Sequence, residues 1–513
     1  MKTHDLEQCG RFPDEPLLFE RGAKGRKGYS LPRLDVEKAV PEKIWPSRWV
    51  RKELEGFPEM SEVEVIRHFT HLSQWNYGVD SGFYPLGSCT MKYNPKVNED
   101  LARLPGFTGA HPYLPEEAAQ GALRVLFDLQ NFLAEISGMN CVTLQPAAGA
   151  QGELTGMLMI RAYHKDRGNP RKKVLIPDTA HGTNPASSSI CGYQVIQVKS
   201  SERGVLSPEA VAEKMDADVA ALMVTNPNTL GLFEENIQKI AGIVHEKGGQ
   251  LYCDGANLNA LVGLTRVGDM GVDVLHFNLH KTFSTPHGGG GPGAGPVGVQ
   301  AHLADFLPVP VVTLDGDRLR FDYNRPQSIG KVRSFYGNFG VLVRAYAYIL
   351  TMGAEGLRRA SQVALLNANY IRARLKEAYT LPYDFPCMHE CVFSDKRQNK
   401  NHVTALDIAK RLMDYGFHPP TIYFPLVVPG ALMIEPTESE PKETLDQFID
   451  AMKRIAQEAE EHPEWVREAP HYTKVSRLDE VLANRKPVLR WKPKNVTTQV
   501  DRIQESEFTI ARE

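Results

Sequence analysis

Two side chains in this sequence, Asp254 and Lys281, suggest chemistry because each follows a short apolar run. Asp254 lies within QLYCDGAN, and Lys281 comes 27 residues later, directly after VLHFNLH. A lysine amine can form a Schiff base with a carbonyl compound, and a carboxylate can keep a ring nitrogen protonated. Taken singly, a strand-end aspartate is often a helix cap and a lone lysine is usually a surface charge. On the ends of neighbouring strands, however, the two would face opposite sides of one ring.

Other polar side chains follow the neighbouring apolar runs. His181 lies in IPDTAHGTNP, where its imidazole could stack on a ring face, although a single histidine in a loop is more often structural. Asn226 and Asn228 lie in VTNPNTLG, where an amide could bind a ring hydroxyl. The same residues are also good turn formers, and both interpretations can hold together.

A phosphate site is predicted in QPAAGAQGE, residues 145–153, just before a helix expected over residues 154–163. The backbone N–H groups of Ala148, Gly149 and Ala150 would be the donors, because the beginning of a helix carries free N–H groups and a positive dipole end. The segment is not a P-loop, since no Gly-Lys-Ser/Thr follows the glycines. Lysine, carboxylate, flat side chain and phosphate site together are what pyridoxal 5'-phosphate (PLP) requires of a protein.

The elements that position these residues alternate between strands and helices. Short apolar runs predict buried strands over residues 174–176, 193–198, 219–225, 250–254 and 274–278, with a helix over 237–246. Such alternation is typical of a mostly parallel sheet covered on both faces, where ligands bind beyond the carboxyl ends of the strands. The sequence therefore predicts an α/β fold.

Four regions are expected along the chain. An N-terminal arm covers residues 1–110, with short helices such as residues 61–72. A large PLP-binding domain follows over residues 111–335, beginning with a strongly periodic helix that Gly138 ends. A smaller α+β domain is expected over residues 336–462, with two helices meeting at Gly353, and a charged tail over 463–513. The glycine-rich stretch 288–295 is expected to approach the active site closely or to form a lid.

Composition excludes several classes of function. A net charge of -3 gives no reason to expect nucleic acid or an anionic membrane surface. The longest uncharged run, residues 417–434, contains four prolines and does not suit a membrane helix. No secretory signal is recognisable at the N-terminus, and seven scattered cysteines favour reduced thiols. We therefore expect a cytoplasmic protein without a membrane segment, and no motif here predicts a metal site.

Longer sequence segments resemble the P-protein family of the glycine cleavage system, the decarboxylating glycine dehydrogenases. They include YPLGSCTMKYNP (84–95), DTAHGTNPASS, YCDGANLNA, DVLHFNLHKTFSTPHGGGGPGAGPVGV and MIEPTESE. The resemblance extends from about residue 80 to 440. It implies a PLP-dependent transferase of fold type I, like aspartate aminotransferase, with Lys281 as the Schiff-base lysine. It also implies an activity: decarboxylation of glycine, with transfer of the aminomethyl group to the lipoyl arm of H-protein and release of CO2.

The resemblance covers the half of a single-chain P-protein that holds the lysine. It therefore implies subunit 2 of a two-subunit enzyme, with a similarly folded subunit 1 in an α2β2 heterotetramer. Members of this fold often carry Ser or Thr three residues before the lysine to bind phosphate, whereas this chain has Asn278. His280 or the partner subunit is expected to take that role. Arg333 is a candidate ligand for the glycine carboxylate.

Two other functions remain open from the sequence alone. Another fold type I PLP enzyme acting on a small amino acid, such as a hydroxymethyltransferase, would need the same cofactor ligands, and only the longer segments argue against it. A non-catalytic scaffold subunit is the second alternative. Such a subunit is expected to have lost the lysine, so Lys281 beside Asp254 argues against it.

Overall fold

The computed structural model describes residues 15–52, 54, 56–286 and 293–490. The chain divides into two units, one formed by residues 1–77 with 472–513 and the other by residues 78–471. Every residue predicted above for the site belongs to the second unit. The first five residues of the glycine-rich stretch 288–295 lie outside the described residues, and the domain boundaries and the roles of the arm and tail stay predictions.

The described part of the first unit is mainly loop with short helices. Its longest helix, Glu62–Gln74, begins at Ser61, whose hydroxyl accepts a hydrogen bond from the backbone N–H of Glu64. The Glu64 carboxylate in turn accepts a hydrogen bond from the backbone N–H of Ser61, so the two residues form a capping box. This confirms the helix predicted over residues 61–72.

The second unit is built on a sheet that has seven strands within the described residues. Their order across the sheet is β1-β7-β6-β5-β4-β2-β3. Strands β2 to β6 run parallel to their neighbours among themselves, whereas β7 is antiparallel to both β1 and β6. The strands are β1 (Cys141–Thr143), β2 (Lys173–Pro177), β3 (Gln194–Val198), β4 (Val219–Thr225), β5 (Gln250–Gly255), β6 (Val274–Phe277) and β7 (Val297–Val299). The five predicted strands are confirmed.

Two further sheets complete the unit. Strands β8 (Val311–Asp315) and β9 (Arg318–Asp322) form an antiparallel hairpin. A small antiparallel sheet has the order β10-β12-β11, with β10 (Cys391–Ser394), β11 (Thr421–Ile422) and β12 (Ala431–Ile434).

Helices cover both faces of the large sheet, as predicted. One apolar core contains Leu126 and Leu129 of the helix Glu116–Ser137 together with Leu222 of β4, and a second contains Ile160 with Met223. A third core fills the space between the small sheet and its helices, around Phe393. The helices, in chain order, are Pro41–Ile44, Glu62–Gln74, Lys96–Ala102, Pro105–Thr108, Glu116–Ser137, Gly149–Asp166, Thr183–Ile190, Pro208–Lys214, Ile237–Glu246, Leu279–Thr282, Phe339–Leu375, Ala405–Asp414, Lys442–Glu461, Pro463–Glu468 and Glu480–Arg485.

Glycines end or interrupt helices where the sequence predicted. Gly138 ends its helix with φ 72°, in the left-handed region that favours glycine. Gly353 has φ 59° and ψ -176° inside Phe339–Leu375, so that segment is two helices that meet at a kink. None of the described helices is both long and apolar enough to cross a bilayer.

Candidate active site

A cavity of about 510 Å³ lies where the carboxyl ends of the central strands meet the loops that follow them. Six of the predicted site residues line it: Lys281, Asp254, His181, Gly149, Ala150 and His280. The other lining residues are Ser88, Cys89, Glu153, Gly182, Thr183, Ala256, His276, Asn278 and Phe424. Residues far apart in sequence thus meet at the carboxyl ends of the strands, where ligands bind in mostly parallel sheets.

Lys281 projects from the short helix Leu279–Thr282, which follows β6 directly. Its side chain is partly buried, and Nζ donates a hydrogen bond to the carbonyl oxygen of Ser88, 2.7 Å away. Ser88 lies within the segment YPLGSCTMKYNP, to which the sequence analysis assigned no role in the site. The amine therefore opens into the cavity while a single backbone oxygen orients it.

Asp254 occupies β5 opposite His276 of the parallel neighbour β6. The side chain is 1% exposed, and its two oxygens accept hydrogen bonds from Asn184 Nδ2 (2.9 Å) and from the backbone N–H of Ala256 (2.8 Å). His276 Nε2 lies 3.2 Å from Oδ1. Burial raises the pKa of Asp254, but His276, His181 and the two donors outweigh it and lower that pKa to about 2. A permanent carboxylate therefore faces the cavity.

Glu153 is a second buried acid beside Asp254 that the sequence analysis did not single out. It accepts hydrogen bonds from Thr183 Oγ1 (2.8 Å), Asn184 Nδ2 (3.1 Å) and Ser187 Oγ (3.3 Å). Burial and the charge of Asp254 raise the pKa of Glu153. Asn184 donates to both acids and so holds them in one network. The detectable signal was a glutamate on an otherwise apolar stretch of helix.

His181 presents a neutral imidazole to the cavity. Burial lowers its pKa to about 4. Its ring stacks against Phe424, with the planes inclined by 13° and the centroids 5.8 Å apart, and Nδ1 lies 3.2 Å from Ser88 Oγ. Within the described part of the chain, Nε2 has no hydrogen-bond partner. A ring fixed in this way leaves a buried polar atom for a group that enters the cavity.

The predicted phosphate segment forms the first turn of a helix. The helix begins at Gly149 and not at residue 154, so that boundary was wrong. Ala148 is still extended, and the Gln151 side chain accepts the N–H of Ala147 at 2.7 Å, which supports the early start. A Cβ on Gly149 would lie 2.3 Å from Asn278 Oδ1, so any other residue here would force the buried Asn278 side chain to move. The N–H groups at this helix start are therefore available at the cavity.

The structure does not bring every predicted residue to the cavity. The Asn228 amide is fully used in a turn: Nδ2 donates to Gly204 O (2.8 Å) and Glu234 Oε1 (2.9 Å), and Oδ1 accepts two backbone N–H groups. Asn226 Oδ1 accepts the N–H of Glu234, while its Nδ2 is buried and without a partner among the described residues. Neither asparagine lines the cavity, nor does Ala148.

Two other predicted residues have clear positions. His280 lines the cavity, and its Nδ1 accepts a hydrogen bond from the backbone N–H of Ala294 at 3.4 Å. Arg333 lines a different cavity and donates to Asn338 Oδ1 at 2.9 Å. Its position gives no support for a role as a carboxylate ligand in the Lys281 cavity.

The donor set suits a flat, anionic, phosphorylated aldehyde. An amine, a buried carboxylate, a stacked neutral imidazole with one open nitrogen, and a helix start where Gly149 packs tightly against Asn278 all face one space. Each group matches one part of such a molecule: the aldehyde, the ring nitrogen, the ring face and the phosphate.

Comparison with known proteins agrees with this arrangement. Residues 29–323 match the family model described as glycine cleavage system P-protein, and residues 360–472 match glycine dehydrogenase, C-terminal domain. The chain is 61% identical over 476 residues to a probable glycine dehydrogenase (decarboxylating) subunit 2 from Caldanaerobacter subterraneus subsp. tengcongensis, covering 93% of this chain and 98% of that one. It is 58% identical over 477 residues to the protein of the same description from Listeria monocytogenes, with the same coverage.

Solved structures show the fold. The inhibitor-bound glycine decarboxylase (P-protein) of the glycine cleavage system superposes with a TM-score of 0.69 at 21% identity, over 81% of this chain and 95% of that one. An aspartate aminotransferase from Thermus thermophilus superposes with a TM-score of 0.53 at 15% identity, over 73% and 99%. The predicted PLP fold type I is thus confirmed, and so is the resemblance seen in the sequence. The chain belongs to the glycine cleavage system P-protein family.

Proposed function

We propose that this chain is the catalytic subunit of a two-subunit glycine dehydrogenase (decarboxylating). It would decarboxylate glycine and transfer the remaining aminomethyl group to the lipoyl arm of H-protein. The observation that carries the proposal is that Lys281 and Asp254 face one cavity in a chain so similar to relatives described as subunit 2. A cytoplasmic location belongs to the same proposal and rests on the scattered cysteines of the sequence.

Pyridoxal 5'-phosphate would supply the electron sink that lets glycine lose CO2. Lys281 would hold the cofactor covalently. Asp254 would face its ring nitrogen, and a carboxylate with a pKa of about 2 remains ionised throughout the working pH range. It can therefore keep a proton on that nitrogen by charge attraction.

The remaining residues would position the cofactor in the cavity. His181 is neutral, so it would cover the ring without adding positive charge. The backbone N–H groups of Gly149 and Ala150 would bind the phosphate at the helix start, with His280 on the other side. Asn226 has a buried Nδ2 without a hydrogen-bond partner among the described residues, but it lies outside the lining of the cavity, and the amide of Asn228 is committed to its turn.

A partner chain is part of the proposal. Relatives that match over nearly their full length are described as subunit 2, which supports a subunit 1 in an α2β2 assembly. One phosphate ligand that is usual in this fold is replaced by Asn278, and a neighbouring chain could supply it. We infer that the isolated chain is poorly active.

The test is glycine–bicarbonate exchange with H-protein and subunit 1, measured for wild type, Lys281→Ala and Lys173→Ala. Lys173 lies in β2, outside the cavity, in an ion pair with Asp216 at 2.6 Å, and serves as the matched control. We expect K281A to lose exchange and the borohydride-reducible link to the cofactor, and K173A to keep both. A reducible link that survives in K281A would refute the assignment of the lysine.

A further inference from the structure

Two carboxylic acids, Glu390 and Glu435, meet at the end of the small sheet nearest the cavity. Glu390 precedes β10 and Glu435 follows β12, and the pairing of Cys391 with Ile434 sets the two acids side by side. Both are 0% exposed. A carboxylate oxygen of each and a ring nitrogen of His389 all lie within 4.8 Å of one another.

Among the described residues, the groups that donate hydrogen bonds to this pair are all neutral. The backbone N–H of Ser88 donates to Glu390 Oε2 at 2.9 Å, and that of Thr90 donates to Glu435 Oε2 at 3.2 Å. Asn259 Nδ2 donates to Glu435 Oε1 at 3.3 Å. In the described part of the chain, Glu390 Oε1 and both ring nitrogens of His389 have no hydrogen-bond partner, although His389 Nε2 lies 3.8 Å from Glu390 Oε2. Two carboxylates this close and this deeply buried cannot both be ionised, so the pair retains one proton.

The groups around the pair agree with a retained proton. Burial raises the pKa of Glu435 to about 7, and burial together with the charge of Glu435 raises the pKa of Glu390 well above its usual value. Burial lowers the pKa of His389 to about 3, so that ring carries no positive charge. The Cys89 thiol also stays neutral, because burial raises its pKa.

The positive charge of Lys281 acts on the pair, and Ser88 connects the lysine to it. This charge lowers the pKa of both carboxyls, against the larger effect of burial. Ser88 lies between them: its carbonyl oxygen accepts from Lys281 Nζ, and its N–H donates to Glu390. One ammonium is therefore linked through Ser88 to two acids that together carry one negative charge.

We propose that Glu390 and Glu435 are a one-proton store that acts as acid and base for Lys281, an inference that rests on the function proposed above. When Lys281 bonds to the cofactor, one ammonium N–H breaks, its electron pair stays on nitrogen, and the proton joins a carboxylate oxygen of the pair. The two other ammonium hydrogens leave with the carbonyl oxygen as water while the C=N bond forms. When the amine of glycine displaces Lys281, the carboxyl O–H breaks and its proton returns to the lysine nitrogen.

Charge balance favours this route over one through solvent. Before the transfer the ammonium and the singly charged pair cancel, and after it both are neutral. No buried charge is left without a partner at either stage, which avoids a penalty of several kcal/mol. The pair is therefore the natural destination of the lysine proton.

Infrared titration of the holoenzyme tests the shared proton without reference to turnover. A protonated carboxyl has a C=O stretch that a carboxylate lacks. In the holoenzyme Lys281 is bonded to the cofactor and its proton is on the pair, so the difference between wild type and Glu390→Gln/Glu435→Gln is expected to contain C=O absorption from both carboxyls that persists well above pH ~4.3, the ordinary pKa of glutamic acid. Glu234→Gln is the matched control, since Glu234 is equally buried with a pKa of about 7 but is not bonded to Ser88. Its own band should disappear while that of the pair remains.

Stopped-flow absorbance tests the transfer itself. The double variant is expected to slow the displacement of Lys281 by glycine about a hundredfold and to lose the pH dependence of that rate near neutrality. E390Q and E435Q each keep one acceptor, so each should retain most of the rate with a shifted pH midpoint. If the double variant does not fold, as judged by circular dichroism, these shifted midpoints decide the question.

Three results would overturn the proposal: both acids ionised at neutral pH, an unchanged rate and pH profile in the double variant, or a divalent cation that wild type retains and E390Q loses. Absence of a reducible cofactor on Lys281 in wild type would instead refute the proposed function. The infrared titration of the pair would still decide whether the proton is shared.

Discussion

Replacing Asp254 with asparagine separates its structural role from its catalytic one. The pKa of Asp254 is about 2 instead of 3.8, and since one pKa unit corresponds to about 1.4 kcal/mol, the fold favours its carboxylate by about 2 kcal/mol. Asparagine keeps the shape but offers one acceptor oxygen in place of two. Either Asn184 Nδ2 or the N–H of Ala256 would then face an amide N–H. We expect D254N to be less stable by about 1–3 kcal/mol.

The catalytic loss should be larger. Removing one partner of a buried charge pair costs about 3–5 kcal/mol, which corresponds to a rate lower by about 10²–10⁴. The assay is glycine–bicarbonate exchange by the assembled enzyme at saturating cofactor, with thermal unfolding measured in parallel.

Asp273→Asn is the matched control for this prediction. Asp273 is also a buried aspartate beside a histidine and a backbone donor: Oδ2 lies 2.7 Å from both His245 Nε2 and the N–H of Leu251. It directly precedes β6, at the opposite edge of the sheet from the cavity. We expect D273N to lose similar stability but to keep its rate. Exchange by D254N within tenfold of wild type, or an equal loss of rate in D273N, would show that Asp254 is structural.

Three further outcomes are expected. Gly149→Ala should weaken cofactor binding and destabilise the fold by about 1–3 kcal/mol, because its Cβ would overlap Asn278. Gly242→Ala, which has open space at Cβ, should be neutral in a thermal shift assay. Equal effects of the two substitutions would contradict the tight fit at Gly149. Because burial raises the pKa of Glu234 from 4.5 to about 7, the native state binds the extra proton, so stability should fall by up to ~3 kcal/mol as pH rises from about 4.5 to 7. Glu234→Gln should remove that part of the slope in thermal unfolding curves, and an unchanged slope would contradict it. Glycine–bicarbonate exchange by the purified chain should rise strongly when subunit 1 is added, and full activity without it would refute the two-subunit proposal.

Local pattern was enough to predict the elements that carry the site. The helix Ile237–Glu246 and the buried strand Val219–Thr225 have the predicted bounds, because the spacing of apolar residues and the flanking glycines indicate which residues are buried and where an element ends. Lys281 and Asp254 were recognisable because a charged side chain after a wholly apolar run is costly unless it is used.

What the sequence could not reveal depends on contacts between distant segments. Glu390 and Glu435 become neighbours only through the register of β10 and β12, which no local pattern specifies. Ser88 meets Lys281 across 193 residues of chain. The helix at Gly149 was expected to begin five residues later because small residues also suit a loop, and only the Gln151 side chain on Ala147 distinguishes the two.

The segment from Leu86 to Lys92 is bound both to the small sheet and to the helix Leu279–Thr282 that carries Lys281, so it connects the two. On one side Leu86 bridges to Ile434, and the N–H groups of Ser88 and Thr90 bind the acids at the end of the small sheet. On the other side Lys92 Nζ donates to Thr282 O at 2.8 Å. A rigid-body rotation of the small sheet would displace this segment relative to the helix that carries Lys281. A shift of the small sheet would thus change the position of the Lys281 amine.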